Sequence, residues 1–215
     1  MRPPPESPYR LVVEGTDDLH SVTQLLARFS YDWDDENTTR PYISSEGSDK
    51  RALRAFSLAL RSGYQRLGVI VDANSSFTDR WQHLRDQAVR AGVALPEQPG
   101  SGGTVVPGLR DGTRIGVWIM PDNASPGSLE DFLARLVPSE DACWPYAGEV
   151  VGEARRRGAP CKEKDHSKST LHTWLAWQEE PGLPFGVALK AKFFAHDSEE
   201  ARRFVAWFWR LFVDD

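Results

Sequence analysis

The stretch RLGVIVDAN, residues 66–74, constrains the fold more than any other part of the chain. Its run Val69–Val71 is continuously apolar, where a strand with one wet face would alternate. Such a run, bounded by turn residues, belongs to a central strand covered on both faces, as in a parallel sheet. The flanking segments supply the crossovers that parallel strands require. LVV at residues 11–13 reads as a strand. DDLHSVTQLLARF after it reads as a helix with Leu19, Val22, Leu25, Leu26 and Phe29 on one face. A short strand is expected at Tyr42–Ser44, then a helix over DKRALRAFSLALRSG that ends at Gly63. Beyond Asp72 the expectation is a helix opened by Thr78 and closed by Gly92. A Gly/Pro-rich stretch from Leu95 to Gly112 follows, with a short strand near Thr104–Val106. RIGVWIMPDN is another strand, and a helix begins with Ser128, Glu130 and Asp131 in its first turn.

The alternation of strands and helices through residue 137 predicts an α/β fold, with a mostly parallel sheet flanked by helices. The remainder reads as helices over 141–157, 167–179 and 199–212, a helical C-terminal extension spanning 138–215 on a core of 9–137. Residues 1–8, MRPPPESP, lack an apolar segment and read as a flexible lead rather than a signal peptide. In ARRFVAWFWRLF, core packing is the first reading and a partner interface the second. Trp174 and Trp177 read as core before they read as a base-stacking platform. With 40% hydrophobic and 27% charged residues, the 215-residue chain has the make-up of a globular protein. No apolar run approaches the roughly 20 residues that span a bilayer, so no membrane partner is expected. Cys143 and Cys161 alone make no disulfide framework, which suits a cytoplasmic location. Their spacing to His166 and His172 matches no zinc-ligand pattern. The net charge of −5 argues against a broad electrostatic footprint for nucleic acid. It is compatible with an acidic pocket whose ions reverse the local charge.

Such a pocket is what the strand ends suggest. Glu14, Asp72 and Asp122 each stand at the end of an expected strand, and Glu130 opens the following helix. Parallel strands of one sheet end at the same edge, where α/β folds bind ligands. One carboxylate at a turn is a cap. Four on one edge repel unless a cation neutralises them, and hard divalent ions with oxygen ligands do so economically.

The order of these residues resembles the Toprim domain of topoisomerases, bacterial primases, small RNA-maturing nucleases and the OLD (overcoming lysogenisation defect) family nucleases. In that family a glutamate followed by glycine ends the first strand, as in VVEG, and a later apolar strand ends in Asp-x-Asp. The OLD-type nucleases add a second acid four residues after the glutamate, matched by Asp18. They also have a Ser-x-Glu element, matched by Ser128 and Glu130, and a downstream lysine. Lys162, Lys164 and Lys168 are the candidates for that lysine, with Lys168 favoured because its helix carries the Trp-rich face. HTWLAWQEEPG together with MPDN also resembles small stand-alone Toprim-like proteins, some found beside ATPases in phage-defence loci. The Asp-x-Asp position reads Asp72-Ala73-Asn74, so the second acid is an amide, which weakens metal affinity.

The resemblance implies a Rossmann-like sheet and a nuclease acting on DNA or RNA with Mg²⁺ or Mn²⁺, two ions about 4 Å apart. It implies metal binding by Glu14, Asp18, Asp72 and Glu130, with Asn74 and Asp122 as auxiliary ligands. Glu14 is alternatively a general base. Lys168 would stabilise charge on the phosphate, and Ser128 would orient a ligand or the substrate. The alternatives are a subunit controlled by a separately encoded ATPase and a non-catalytic nucleic-acid-binding module. Without the resemblance, Asp18, Glu130 and Asp131 serve the helix dipole and Lys168 is a solvated lysine.

Overall fold

The computed structural model describes residues 7–35 and 39–214. Residues 1–6 of the expected lead, and 36–38 of the polar loop after the first helix, lie outside them. In chain order, β1 (Tyr9–Val13) leads through α1 (Thr16–Arg28) to β2 (Tyr42–Ser45), and α2 (Asp49–Ala59) returns to β3 (Arg66–Asp72). Next, α3 (Phe77–Ala91) leads to β4 (Thr104–Pro107) and β5 (Arg114–Met120). The helices α4 (Leu129–Ala134), α5 (Cys143–Arg156), α6 (His166–Leu175), α7 (Phe185–Lys190) and α8 (Glu199–Phe212) complete the chain. The strands form one sheet in the order β2-β1-β3-β5-β4. All neighbours are parallel except β4, which runs antiparallel to β5 at the edge.

The continuous apolar runs divide between the two faces with the period of a strand. Leu11, Val13, Ile70, Trp118 and Met120 pack against α1, α4, α6, α7 and α8. Val12, Leu67, Val69, Val71, Ile115, Val117 and Ile119 pack against α2 and α3. The chain leaves β1 toward β2 with α1 on one face, then crosses back to β3 with α2 on the other. Right-handed crossovers in opposite directions require that arrangement. The strand order therefore reverses between β1 and β3, and Glu14 and Asp72 stand at the carboxyl ends of those two strands.

Several local expectations are revised. Ser76, not Thr78, caps α3, accepting from the Asp79 amide at 3.2 Å. Gly92 closes the helix at φ 86°, a left-handed position that suits glycine. The strand β5 stops at Met120, two residues before Asp122. The helix α7 was not anticipated.

The last helix completes the sheet's covering layer. Phe204, Trp207, Phe208 and Leu211 of α8 are fully buried, each stabilising by roughly 1.5–3 kcal/mol. Gly68 and Gly116 are register partners on adjacent strands and form its seat. A Cβ at Gly116 would lie 2.2 Å from Leu211 Cδ2, and one at Gly68 would lie 2.9 Å from the same atom. Bare backbone there lets the helix approach the sheet. Among the described residues no helix is long and apolar enough to cross a membrane.

Candidate functional site

The reversal point places Glu14 against β3. Its Oε1 accepts the Asp72 amide at 2.9 Å, and its carbonyl accepts the Gly47 amide at 2.7 Å, which ties down the turn after β2. An aspartate carboxylate stays within about 4 Å of its own nitrogen, so those of Glu14 and Asp72 are within about 7 Å of each other. Asp72 Oδ1 accepts the Leu129 amide at 3.0 Å, which brings the start of α4 to the same edge. One residue into that helix, Glu130 accepts from Ser128 Oγ at 2.8 Å and from Lys168 Nζ at 2.6 Å. Asp18 is buried in the first turn of α1, where its Oδ2 accepts the Gly15 amide at 2.9 Å. Asp72, Asn74, Ser128, Glu130, Lys164 and Lys168 line a cleft of about 440 Å³ beside these groups.

Burial is the main electrostatic influence, and mutual repulsion adds to it. Burial, then the charges of Glu14, Asp18 and Glu130, push the Asp72 carboxyl up to about 8. Burial likewise takes Asp18 up to about 7, against the hydrogen bond from Gly15 and with the charge of Glu14. Glu14 is raised by burial, with the Asp72 amide and Arg80 opposing. Burial would raise Glu130 as well, but its bonds from Lys168 and Ser128 outweigh that and hold it below the usual carboxylate range. Lys168 is raised in turn by its bond to Glu130. Each acid is turned to its own donor. Among the described residues no three His, Cys, Asp or Glu side chains are gathered so as to hold an ion as they stand.

Two expected ligands sit differently. Asp122 accepts the Ala124 and Ser125 amides at 3.0 and 2.7 Å, the Ser125 hydroxyl at 2.9 Å and Arg135 at 2.7 Å. It serves its own turn and an ion pair, and these partners hold its carboxyl low against the effect of burial. The cluster is thus a strand-end pair, Glu14 and Asp72, joined by two helix acids, Asp18 and Glu130. Asn74 is exposed on the cleft wall at φ 54°, with its backbone bridged to Gly127 in both directions at 2.8 Å. Asparagine tolerates that left-handed conformation, so its presence has a backbone reason. Of the three lysines, Lys168 bonds to Glu130, Lys164 lines the cleft, and Lys162 does neither. Trp174 is core, whereas Trp177 is 41% exposed and stacks on Tyr146 at 5.6 Å.

Sequence reading missed Asp49 and Arg80. Asp49 opens α2 and Arg80 lies in the first turn of α3; they pair at 3.1 Å, and both charges act on Glu14. They are 31 residues apart, and only the side-by-side packing of two helices joins them.

A family model described as "Protein of unknown function (DUF3226)" matches residues 8–213. The chain belongs to that family. Comparison with curated proteins and with solved structures returned no match. The DUF3226 match runs from before β1 to the last residues of α8, so it takes in both the acid cluster and the helix that seats on Gly68 and Gly116.

Proposed function

We propose that this DUF3226 member is a Toprim-type, divalent-metal-dependent phosphodiesterase that cuts DNA or RNA. The observation that carries the reading is the gathering of Glu14, Asp18, Asp72 and Glu130 at the point where the strand order reverses. Two of the four, Asp18 and Asp72, are pushed up to about 7 and about 8 by burial and by the neighbouring acid charges, a cost that a bound cation would relieve. A donor set of carboxylate oxygens without His or Cys suits Mg²⁺ or Mn²⁺.

Glu14, Asp18, Asp72 and Glu130 would hold the metal, with Asn74 offering a side-chain oxygen from the cleft wall. Bound there, ions of this kind would polarise the scissile phosphate, activate a water and neutralise the leaving oxygen. The chain's own residues position the rest. Ser128 holds one oxygen of Glu130 while Lys168, 54% exposed and therefore free to swing, releases the other. The freed ammonium then moves to the phosphate and offsets the charge that develops on it. The hydrogen bond that the Gly15 amide donates to Asp18 fixes the turn that carries Glu14.

The Glu130–Lys168 ion pair favours a second reading, a subunit that stays silent until a partner ATPase or substrate parts the pair. The same resemblance suggests a phage-defence effector. A mixed panel of DNA and RNA incubated with the purified chain in Mg²⁺ or Mn²⁺, beside Glu14→Ala, tests the first reading. Cleavage by the wild type that Glu14→Ala loses supports it. Cleavage that survives in Glu14→Ala refutes this site, and no cleavage with any divalent ion refutes autonomous catalysis.

A further inference from the structure

The acid cluster has cations on both faces of the sheet. Lys168 reaches it from α6, in the layer over Leu11 and Ile70. Arg80 stands in the first turn of α3, in the opposite layer over Val12 and Val69. We propose that Arg80 is a phosphate-binding residue of this centre, the counterpart of Lys168, so that a nucleic-acid backbone crossing the sheet edge is gripped from both faces. The proposal rests on the phosphodiesterase reading.

The placement follows from the chain path. Helix α3 begins shortly after Asp72, and Asp49 follows Gly47, whose amide is bonded to the Glu14 carbonyl. The bland reading makes Arg80 the counter-ion of Asp49. Their exposures argue against that as its whole purpose. The Arg80 side chain is 10% exposed and that of Asp49 37%, so the cation is the half held in place. A partly exposed ion pair contributes little, while burying a guanidinium is costly. Asp49, in the first turn of α2, is already favoured by the helix dipole. Among the described residues the Arg80 guanidinium makes one hydrogen bond, to Asp49. Most of a five-donor fork is left over, and that fork matches the oxygens of a phosphate.

The test measures binding of short single-stranded DNA and RNA oligonucleotides in Ca²⁺ across a range of salt. Arg80→Gln should weaken binding by about tenfold and reduce the salt slope by about one. Its Mn²⁺-induced rise in melting temperature should stay that of the wild type. Asp49→Asn, which frees the guanidinium, should bind as tightly as wild type or more tightly. Unchanged affinity in Arg80→Gln, or equal losses in both variants, overturns the proposal and makes the pair structural. A wild type that binds no oligonucleotide also overturns it. If Arg80→Gln does not fold, Arg80→Lys decides: loss of the fork should lower affinity severalfold, and unchanged affinity overturns the proposal. The two readings fail separately. A wild type that binds, passes the Arg80 test and cuts nothing in Mn²⁺ keeps the grip and loses the catalysis. One that cuts, with Arg80→Gln binding normally, does the reverse.

Discussion

Replacing Asp72 with asparagine removes a titratable carboxyl from the cluster and keeps an oxygen that can accept the Leu129 amide, now 3.0 Å away. The change is therefore chiefly electrostatic. In the folded chain the Asp72 carboxyl is pushed up to about 8, whereas an unfolded aspartate titrates near about 3.9. A carboxyl raised in this way contributes its full stability below the unfolded value. That stability is lost as pH rises toward the folded value, because the folded chain keeps a proton the unfolded chain has released. The slope is about 1.4 kcal/mol per pH unit, so Asp72 alone removes roughly 3 kcal/mol between about pH 5 and about pH 7. For a chain of this size that is roughly 5–10 °C in melting temperature. Asp18, taken up to about 7, acts with the same sign and shares its protons with Asp72, so the two effects do not add. In EDTA, the lead of Asp72→Asn over wild type in melting temperature should grow by roughly 5–10 °C between about pH 5 and about pH 7. Added Mn²⁺ should then raise the wild type and leave the variant where it is. Scanning calorimetry at the two pH values decides the matter. An equal melting temperature near neutrality, or a gain that does not grow with pH, refutes the electrostatic account of the cluster.

Lys168→Ala should abolish cleavage yet retain the Mn²⁺-induced thermal shift, since a lysine acting on phosphate charge is no metal ligand; full activity would remove it from the mechanism. Asp122→Ala should leave Mn²⁺ stabilisation and cleavage unchanged while costing about 1 kcal/mol in urea unfolding, through the turn and ion pair it loses. Gly116→Ala should destabilise by about 1–3 kcal/mol in the same assay, because its methyl group meets Leu211 head-on. A neutral result would show that α8 is not seated as described.

The parallel core was legible because its signals are local. The unbroken run at Val69–Val71, the helical spacing from Leu19 to Phe29 and the amphipathic last helix all report burial directly. The convergence of Glu14 and Asp72 followed from topology, since parallel strands share an edge. The surroundings of Asp122 were not legible, for a physical reason. It looked like the end of a strand, but β5 stops at Met120 and the aspartate turns back on the Ala124 and Ser125 amides. The residues 182–190 hid α7 behind glycines and a proline; the helix packs closely on His20 through Gly186, a contact distant in sequence. The antiparallel direction of β4 is set by its pairing with β5, which a Gly/Pro-rich segment does not advertise. The pair Asp49–Arg80 needed two helices laid side by side.

The most direct test of the central claim is anomalous scattering from crystals of the wild-type chain soaked in Mn²⁺. The account predicts an anomalous peak within coordination distance, about 2.0–2.6 Å, of carboxylate oxygens of both Glu14 and Asp72, with Glu130 turned away from Lys168. A peak at Asp122 or elsewhere, or none at saturating Mn²⁺ with Glu130 still bonded to Lys168, would contradict it.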